Sequence, residues 1–338
     1  MSHNHVNCRN TSTITVAAIG TTRHNRIWKD ITLGIKNRLY PDYQPGGFPW
    51  EATRQARALG LHVSVITMLG DDPAGDFLYD AYNSSGADIR GIRRMSSLTP
   101  TADVLLRRDV PDERTVLMDQ STDTASLTLR QVDRELVAAA DLVVAGGTLD
   151  RFGSDSVLTD VIHLARQENK PLFLNPTRIH NVQTIDLRGV KLIMVGRDDF
   201  LHYGFAMDTP AVVVADTLLG RGAENVAITD SANPMHGFNH KENVIMLAVP
   251  IPQELVKYPT GCGEAAFLAA VGSFISGARM YAYLNVAAVA GAWFIMKGAP
   301  ASWSDLDDLN QQYLPKDRLT LPKQRNGQAL PNPKNKTS

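Results

Sequence analysis

The sequence predicts an α/β fold: a doubly wound, mostly parallel sheet with helices on both faces, and a small β flap beside it. Three observations carry this expectation. Short β-branched apolar runs alternate with segments of helical spacing along most of the chain. Two segments instead alternate apolar and polar residues with no helix between them. With 338 residues, 43% apolar and 20% charged, the chain is long enough to bury a large core.

The elements follow in order. "ITVAAI" at 14–19 stops at Gly20, as a first buried strand would. Residues 51–59 have helical spacing and end at Gly60, and "HVSVITML" reads as the next strand. In "DDPAGDFLYDAYNSSGAD", Asp71 or Asp72 is placed to cap a helix that Gly86 closes. Strands are expected at 141–145, 171–174, 190–195, 225–229 and 244–249, and a helix at 154–167. The segments 26–43 and 101–118 read as half-exposed, antiparallel-type strands, hence the flap. The chain divides into a polar tail over 1–12, one domain over 13–314 with flap strands from about 26–43 and 98–118, and a Pro-, Asn- and Lys-rich flexible tail over 315–338.

Composition narrows the function classes. A net charge of -1 does not suggest a nucleic-acid or acidic-lipid surface. Two cysteines, Cys8 and Cys262, argue against a disulfide framework and fit a reducing cytoplasm. The longest apolar stretch, 265–275, is broken by Gly272 and Ser273 and is too short for a bilayer. "MSHNHVNCRNTST" lacks the apolar centre of a signal peptide. A cytoplasmic protein without nucleic-acid or membrane partners is therefore expected.

"YPTGCGEAAF" at 258–267 is the most informative stretch. Pro250, Pro252 and Pro259 punctuate a connection, and 265–275 has the composition of a buried helix. Gly261, Cys262 and Gly263 thus stand at a helix N-terminus, where unpaired amides and the helix dipole favour an anion. Glu264 falls in the first turn. Either it works chemically beside a bound anion, or it complements the dipole while the glycines only make the turn. A loose dinucleotide fingerprint, Gly261-Cys-Gly263-x-x-Ala266, lies too late in the chain and lacks its downstream acid. No P-loop pattern occurs.

Several motifs, taken in chain order, resemble the ribokinase-like carbohydrate kinases, the phosphofructokinase-B (PfkB) family. Gly46-Gly47 before a helix ending "ARALG" looks like the family's N-terminal signature. "MLGDDPAGDFLYDAYNSSGAD" is similar to its G-x-D-x-x-G segment, and "TPTADVLLRRDVPDERTVL" to a threonine preceding two lid strands with a G-E-R-T-like turn. "FLNPTR" resembles the strand-end N-P motif, "YPTGCGEAAF" stands where the family has D-T-x-G-A-G-D-A-F, and "LNVAAVAGAWFIMKGA" resembles the closing helix. The match spans roughly 14–299. The resemblance implies a ribokinase-like domain with a β lid. It also implies ATP and Mg2+, and phosphorylation of a hydroxymethyl group on a sugar- or nucleoside-like substrate.

The departures sit where chemistry would occur. On the resemblance, Glu264 replaces the catalytic Asp and Tyr258-Pro259 the leading Asp-Thr. Asn25 stands where the family's first-strand turn carries a sugar-binding Asp, and Glu51 where an Asn follows the double glycine; with Gly46 and Gly47 they would line the acceptor pocket. Asn25 and Glu51 either accept hydrogen bonds from an amino-bearing or otherwise unusual substrate, or have drifted in an unused site. Asp198 and Asp199, within "RDDF" where N-x-x-E is usual, would hold the metal through water. Thr229, Ser231 and Asn285 would border the nucleotide, or are structural.

Other features have plain alternatives. His3, His5 and Cys8 read as part of a polar tail rather than a metal site. His236, His240 and Glu242, in "MHGFNHKEN", read as a solvated turn. Trp28 either stacks on a ligand or packs the flap. The expected function is a divergent ATP-dependent small-molecule kinase. The alternative is a catalytically inactive relative binding a nucleotide or metabolite as a sensor or assembly partner. Family habit and the flat lid strands suggest a homodimer through the lid.

Overall fold

The computed structural model describes residues 14–108, 110, 114–119, 127–149, 154–258, 260–313 and 323–324. Strands β1 (Thr15–Gly20), β2 (Thr22–Ile31) and β3 (Asp42–Gly47) lead into α1 (Phe48–Ala58). Next come β4 (His62–Gly70), α2 (Pro73–Ser84), β5 (Asp88–Met95), β6 (Thr101–Arg107) and β7 (Arg114–Met118). Then follow α3 (Gln131–Ala139), β8 (Leu142–Gly147), α4 (Ser156–Gln167), β9 (Leu172–Pro176), β10 (Val190–Gly196) and α5 (Ala211–Gly220). The chain continues through β11 (Asn225–Thr229), β12 (Met235–Asn239), β13 (Glu242–Met246), α6 (Cys262–Ile275), α7 (Met280–Lys297), α8 (Trp303–Tyr313) and β14 (Lys323–Gln324).

The main sheet has the order β14-β13-β12-β11-β10-β9-β8-β1-β4-β5. From β5 to β11 every pairing is parallel, and β12, β13 and β14 extend the sheet antiparallel. The strand order reverses at β1, which has β4 on one side and β8 on the other. In such sheets ligands bind outside the carboxyl ends of the strands at this switch point, here where Gly20 pairs with Gly146.

Alternation along buried strands divides the core in two. Val16 and Ala18 of β1 pack into a cluster with Phe267 of α6 and Leu284 of α7. Ala17 and Ile19 face the opposite cluster, with Leu136 of α3, Val161 of α4 and Val214 of α5. Helices therefore cover both faces, as the sequence predicts. The helix α2 begins where expected: Asp72 caps it, its Oδ1 accepting from Gly75 N at 2.7 Å.

The second sheet has the order β3-β2-β6-β7. Strands β2 and β3 are antiparallel, as are β6 and β7, but β2 and β6 run parallel. The wholly antiparallel expectation is corrected there, because β2 and β6 are joined through the first units of the main sheet rather than by a hairpin. Asp103 ties the two strands together, accepting from Arg26 at 2.8 and 2.7 Å and from Trp28 Nε1 at 2.6 Å.

Two further expectations change. "MHGFNHKEN" is a β12–β13 hairpin with only its tip as a turn, and His236 pairs within it opposite Ile245. In the C-terminal tail, Lys323–Gln324 pairs with Glu242 and Asn243. The N-terminal tail with His3, His5 and Cys8, and the remainder of 315–338, lie outside the described residues.

Candidate active site

Helix α6 is buried because small and large apolar side chains occupy its whole circumference, with Ala265, Phe267, Leu268, Ala269 and Ala270 at most 1% exposed. Its N-cap is Gly261, in the left-handed region at φ 94. Any side chain there would be strained. It would also meet the Phe294 ring at 2.9 Å and the Glu51 carboxyl carbon at 3.4 Å. Gly263, two residues on, is the opposite: a Cβ there would find no atom within 4 Å. The first turn is thus open at Gly263 and braced by protein at Gly261. Just before it, the Thr260 hydroxyl is buried and finds no partner among the described residues. Glu264 is half-buried at the start of this helix.

Helix α1 brings a second carboxylate to the same turn. Gly47 caps it at φ 86, and a Cβ there would run into the Thr21 carbonyl. Gly46 is equally constrained, since a side chain would overlap the Asn25 amide. The β2–β3 pairing sets this register, with Thr22 opposite Gly47 and Arg23 opposite Gly46. Asn25, Gly46 and Gly47 are therefore one layer at the root of the lid, and Glu51 follows in the first turn of α1.

Glu51 accepts from Arg54 Nη1 at 3.1 Å. Burial pushes its carboxyl up to about 7, against the Arg54 charge and helped by the nearby Glu264 charge. Arg54 also donates to the Gly298 carbonyl at 3.2 Å, and its guanidinium lies 5.6 Å from the Phe294 ring centre.

The third group of acids belongs to the 3-10 turn Arg197–Tyr203 after β10. Asp198 and Asp199 fold back over Gly196, with Asp199 Oδ2 3.3 Å from the position a Cβ would take there. Burial pushes the Asp199 carboxyl up to about 8; the charges of Asp198 and Glu264 add to this, and Arg114 opposes it. Arg114, at the start of β7, thus directs positive charge from the lid toward the acids and Cys262. Burial raises the Cys262 thiol, against the Arg114 charge and the backbone hydrogen bonds at the helix start. Among the described residues no three or more His, Cys, Asp or Glu side chains form a ready metal cage.

The remaining predicted positions scatter more widely. Thr229 ends β11, its hydroxyl 3.5 Å from the Val195 carbonyl. Ser231 adopts φ 48, a left-handed conformation in which glycine is free of strain. Between them Asp230 pairs with Arg197 at 2.7 Å. Asn285 of α7 donates to Asn310 of α8 at 2.9 Å, a contact that ties two helices. Sequence reasoning missed Arg54 and Arg114 as site residues. Arg54 has a legible signal, since Glu51 and Arg54 are three residues apart on one helix face. Arg114 opens β7, but its reach toward α6 exists only in the folded lid.

Comparisons with known proteins agree with the fold. A family model described as pfkB family carbohydrate kinase matches residues 39–304. No curated protein matches the chain. Among solved structures, ribokinase from Arabidopsis thaliana complexed with ribose and ATP is 17% identical with TM-score 0.70, covering 88% of this chain and 98% of that one. Fructokinase from Xylella fastidiosa with bound ATP is 18% identical with TM-score 0.69, over 89% and 99%. Phosphofructokinase-2 from Escherichia coli, in complex with substrates and products, is 14% identical with TM-score 0.70, over 89% and 99%. At these identities the likeness to solved structures establishes the fold.

Proposed function

The chain belongs to the pfkB family of carbohydrate kinases, and on that premise we propose that it transfers the γ-phosphoryl group of ATP to a hydroxymethyl group of a sugar- or nucleoside-like acceptor. The acceptor oxygen attacks the γ-phosphorus, the bond from that phosphorus to the β,γ-bridging oxygen breaks, and ADP leaves. Glu264 takes the hydroxyl proton as the O–P bond forms. The amides of Gly261, Cys262 and Gly263 receive the charge that develops on the phosphoryl oxygens. Asn25, Gly46, Gly47 and Glu51 line the acceptor pocket. Thr229 and Ser231 border the nucleotide with Asn285, whose partner Asn310 would then share that wall.

The observation that supports this reading best is the open face at Gly263 beside a half-buried acid. The orphaned Thr260 hydroxyl fits a ligand at the same turn. Asp198 and Asp199 fit a hard cation: two crowded carboxylates, one exposed and one half-buried, suit magnesium, which takes one or two protein oxygens and completes its shell with water and phosphates. When bound, the cation neutralises phosphate charge. A homodimer through the lid accords with the exposed Val116, Leu117 and Met118 on its edge strand β7. A reducing cytoplasm accords with the two cysteines, and among the described residues no helix is long and apolar enough to cross a membrane.

The test is ATP consumption against a panel of sugars and nucleosides, beside Glu264→Gln. Turnover with at least one acceptor is expected, lowered by about 10²-fold or more in the variant. Turnover unaffected by the variant would remove Glu264 as base. ATP binding without turnover on any acceptor would favour the sensor alternative.

A further inference from the structure

We propose that Arg54 is a positioning residue of the acceptor site, holding Glu51 as an oriented carboxylate against the glycine turn while clamping α1 to the carboxyl end of α7. The proposal rests on the acceptor-pocket reading of Glu51 and assigns the group that makes that reading workable.

Three contacts converge on Arg54. Arg54 Nη1 reaches Glu51 Oε2 at 3.1 Å, and Nη2 reaches the Gly298 carbonyl at 3.2 Å. Gly298 is the left-handed C-cap of α7, at φ 65. That helix end carries the negative pole of an 18-residue dipole, so a cation is favoured there. The guanidinium also lies over Phe294, at 5.6 Å from the ring centre. The Phe294 ring and the Glu51 carboxyl carbon in turn stand 2.9 and 3.4 Å from the Cβ position of Gly261. Arg54 therefore touches both side chains that stand nearest the Cβ position of Gly261.

The arrangement solves an electrostatic problem. Glu51 is largely buried and feels Glu264 from α6, while Tyr82 of α2 lies close enough to feel Glu51 in turn. Without that cation, burial would keep Glu51 neutral to still higher pH, as an acid that donates where a hydroxyl-rich acceptor needs an acceptor oxygen. A guanidinium anchored at a helix terminus favours the charged form against burial and fixes the direction of the carboxyl. Oε2 is engaged by Arg54, and no hydrogen bond reaches Oε1 among the described residues, which leaves it for the ligand. The Arg54 charge lowers the proton affinity of Glu51, so its removal moves that carboxyl upward.

The experiment compares wild type, Arg54→Gln and Arg54→Lys in two measurements. With ATP saturating and d-ribose, d-fructose or adenosine as acceptor, Arg54→Gln should raise the acceptor KM about tenfold. The ATP KM should stay unchanged, and the acid limb of kcat/KM should move to higher pH. Arg54→Lys should recover most of the pH behaviour, since it restores the charge. An unchanged acceptor KM and acid limb, with only a lower melting temperature, would reduce Arg54 to a structural brace and overturn the proposal. The second measurement needs no turnover: carbon-13 titration of the Glu51 carboxyl, assigned by its loss in Glu51→Gln. Its midpoint should rise by about one pH unit in Arg54→Gln, and an unmoved midpoint overturns the proposal. If wild type consumes no ATP with any acceptor, the kinase reading falls, while the titration still decides whether Arg54 governs Glu51.

Discussion

Glu51 and Asp199 are acids held against their own chemistry. Burial raises Glu51 to about 7 and Asp199 to about 8, from an ordinary carboxylate range near 4. In the unfolded chain both lose their protons at lower pH than in the folded chain. Their contribution to stability is therefore fully present below about pH 4 and is lost as pH rises through about 7 for Glu51 and about 8 for Asp199. The ligand-free protein should melt at progressively lower temperature between pH 5 and 8, measured by differential scanning fluorimetry. Glu51→Gln should flatten that fall, whatever its effect on the absolute melting temperature. An equally steep fall in the variant would show that Glu51 titrates normally. At this scale the sequence was informative where chemistry is local. Glu264, Glu51 and the glycines stand out because glycines and an acid at a helix start have physical consequences by themselves. The distance from Arg54 to the Gly298 carbonyl has no local trace, since it joins residues 244 apart.

At the scale of elements, α6 is the part on which the site depends. It carries the glycine turn at one end and is locked below by Phe267, fully buried with its ring 5.8 Å from that of Phe48. Phe48 opens α1, so the same contact sets the helix that delivers Glu51. Phe267→Ala should cost about 3–5 kcal/mol in urea unfolding, through lost burial and a residual cavity. A cost below about 1 kcal/mol would mean that the neighbours collapse into the space. The long apolar elements were readable in advance: β11 at 225–229 coincides with its expected span, and α4 differs only in its first turn. Others were not. Strand β5, "DIRGIRRM", lies at the sheet edge and carries three arginines, so its apolar alternation is faint. Helix α8 begins at a Trp but continues as "SDLDDLNQQY", polar enough to pass for a loop. The parallel β2–β6 pairing is a matter of tertiary register that neither strand encodes alone.

For the whole molecule, the switch point at β1 and β8, the start of α6 and the root of the lid all pack against α1. That convergence explains why the ordered motifs pointed to the fold even though individual site residues depart from the family pattern. The lid leaves β7 as an edge strand whose Val116, Leu117 and Met118 are 40%, 53% and 41% exposed. Such an edge invites pairing, and a second copy would cover it symmetrically. Light scattering should give twice the chain mass for the wild type and the monomer mass for Leu117→Glu. A monomeric wild type at micromolar concentration would contradict lid pairing. The central claim is tested most directly by a crystal structure with magnesium and a non-hydrolysable ATP analogue. The predicted result is a terminal phosphate within hydrogen-bond distance of the Cys262 and Gly263 amides, with Glu264 facing the acceptor side. A nucleotide bound with its phosphates away from that turn would contradict the account.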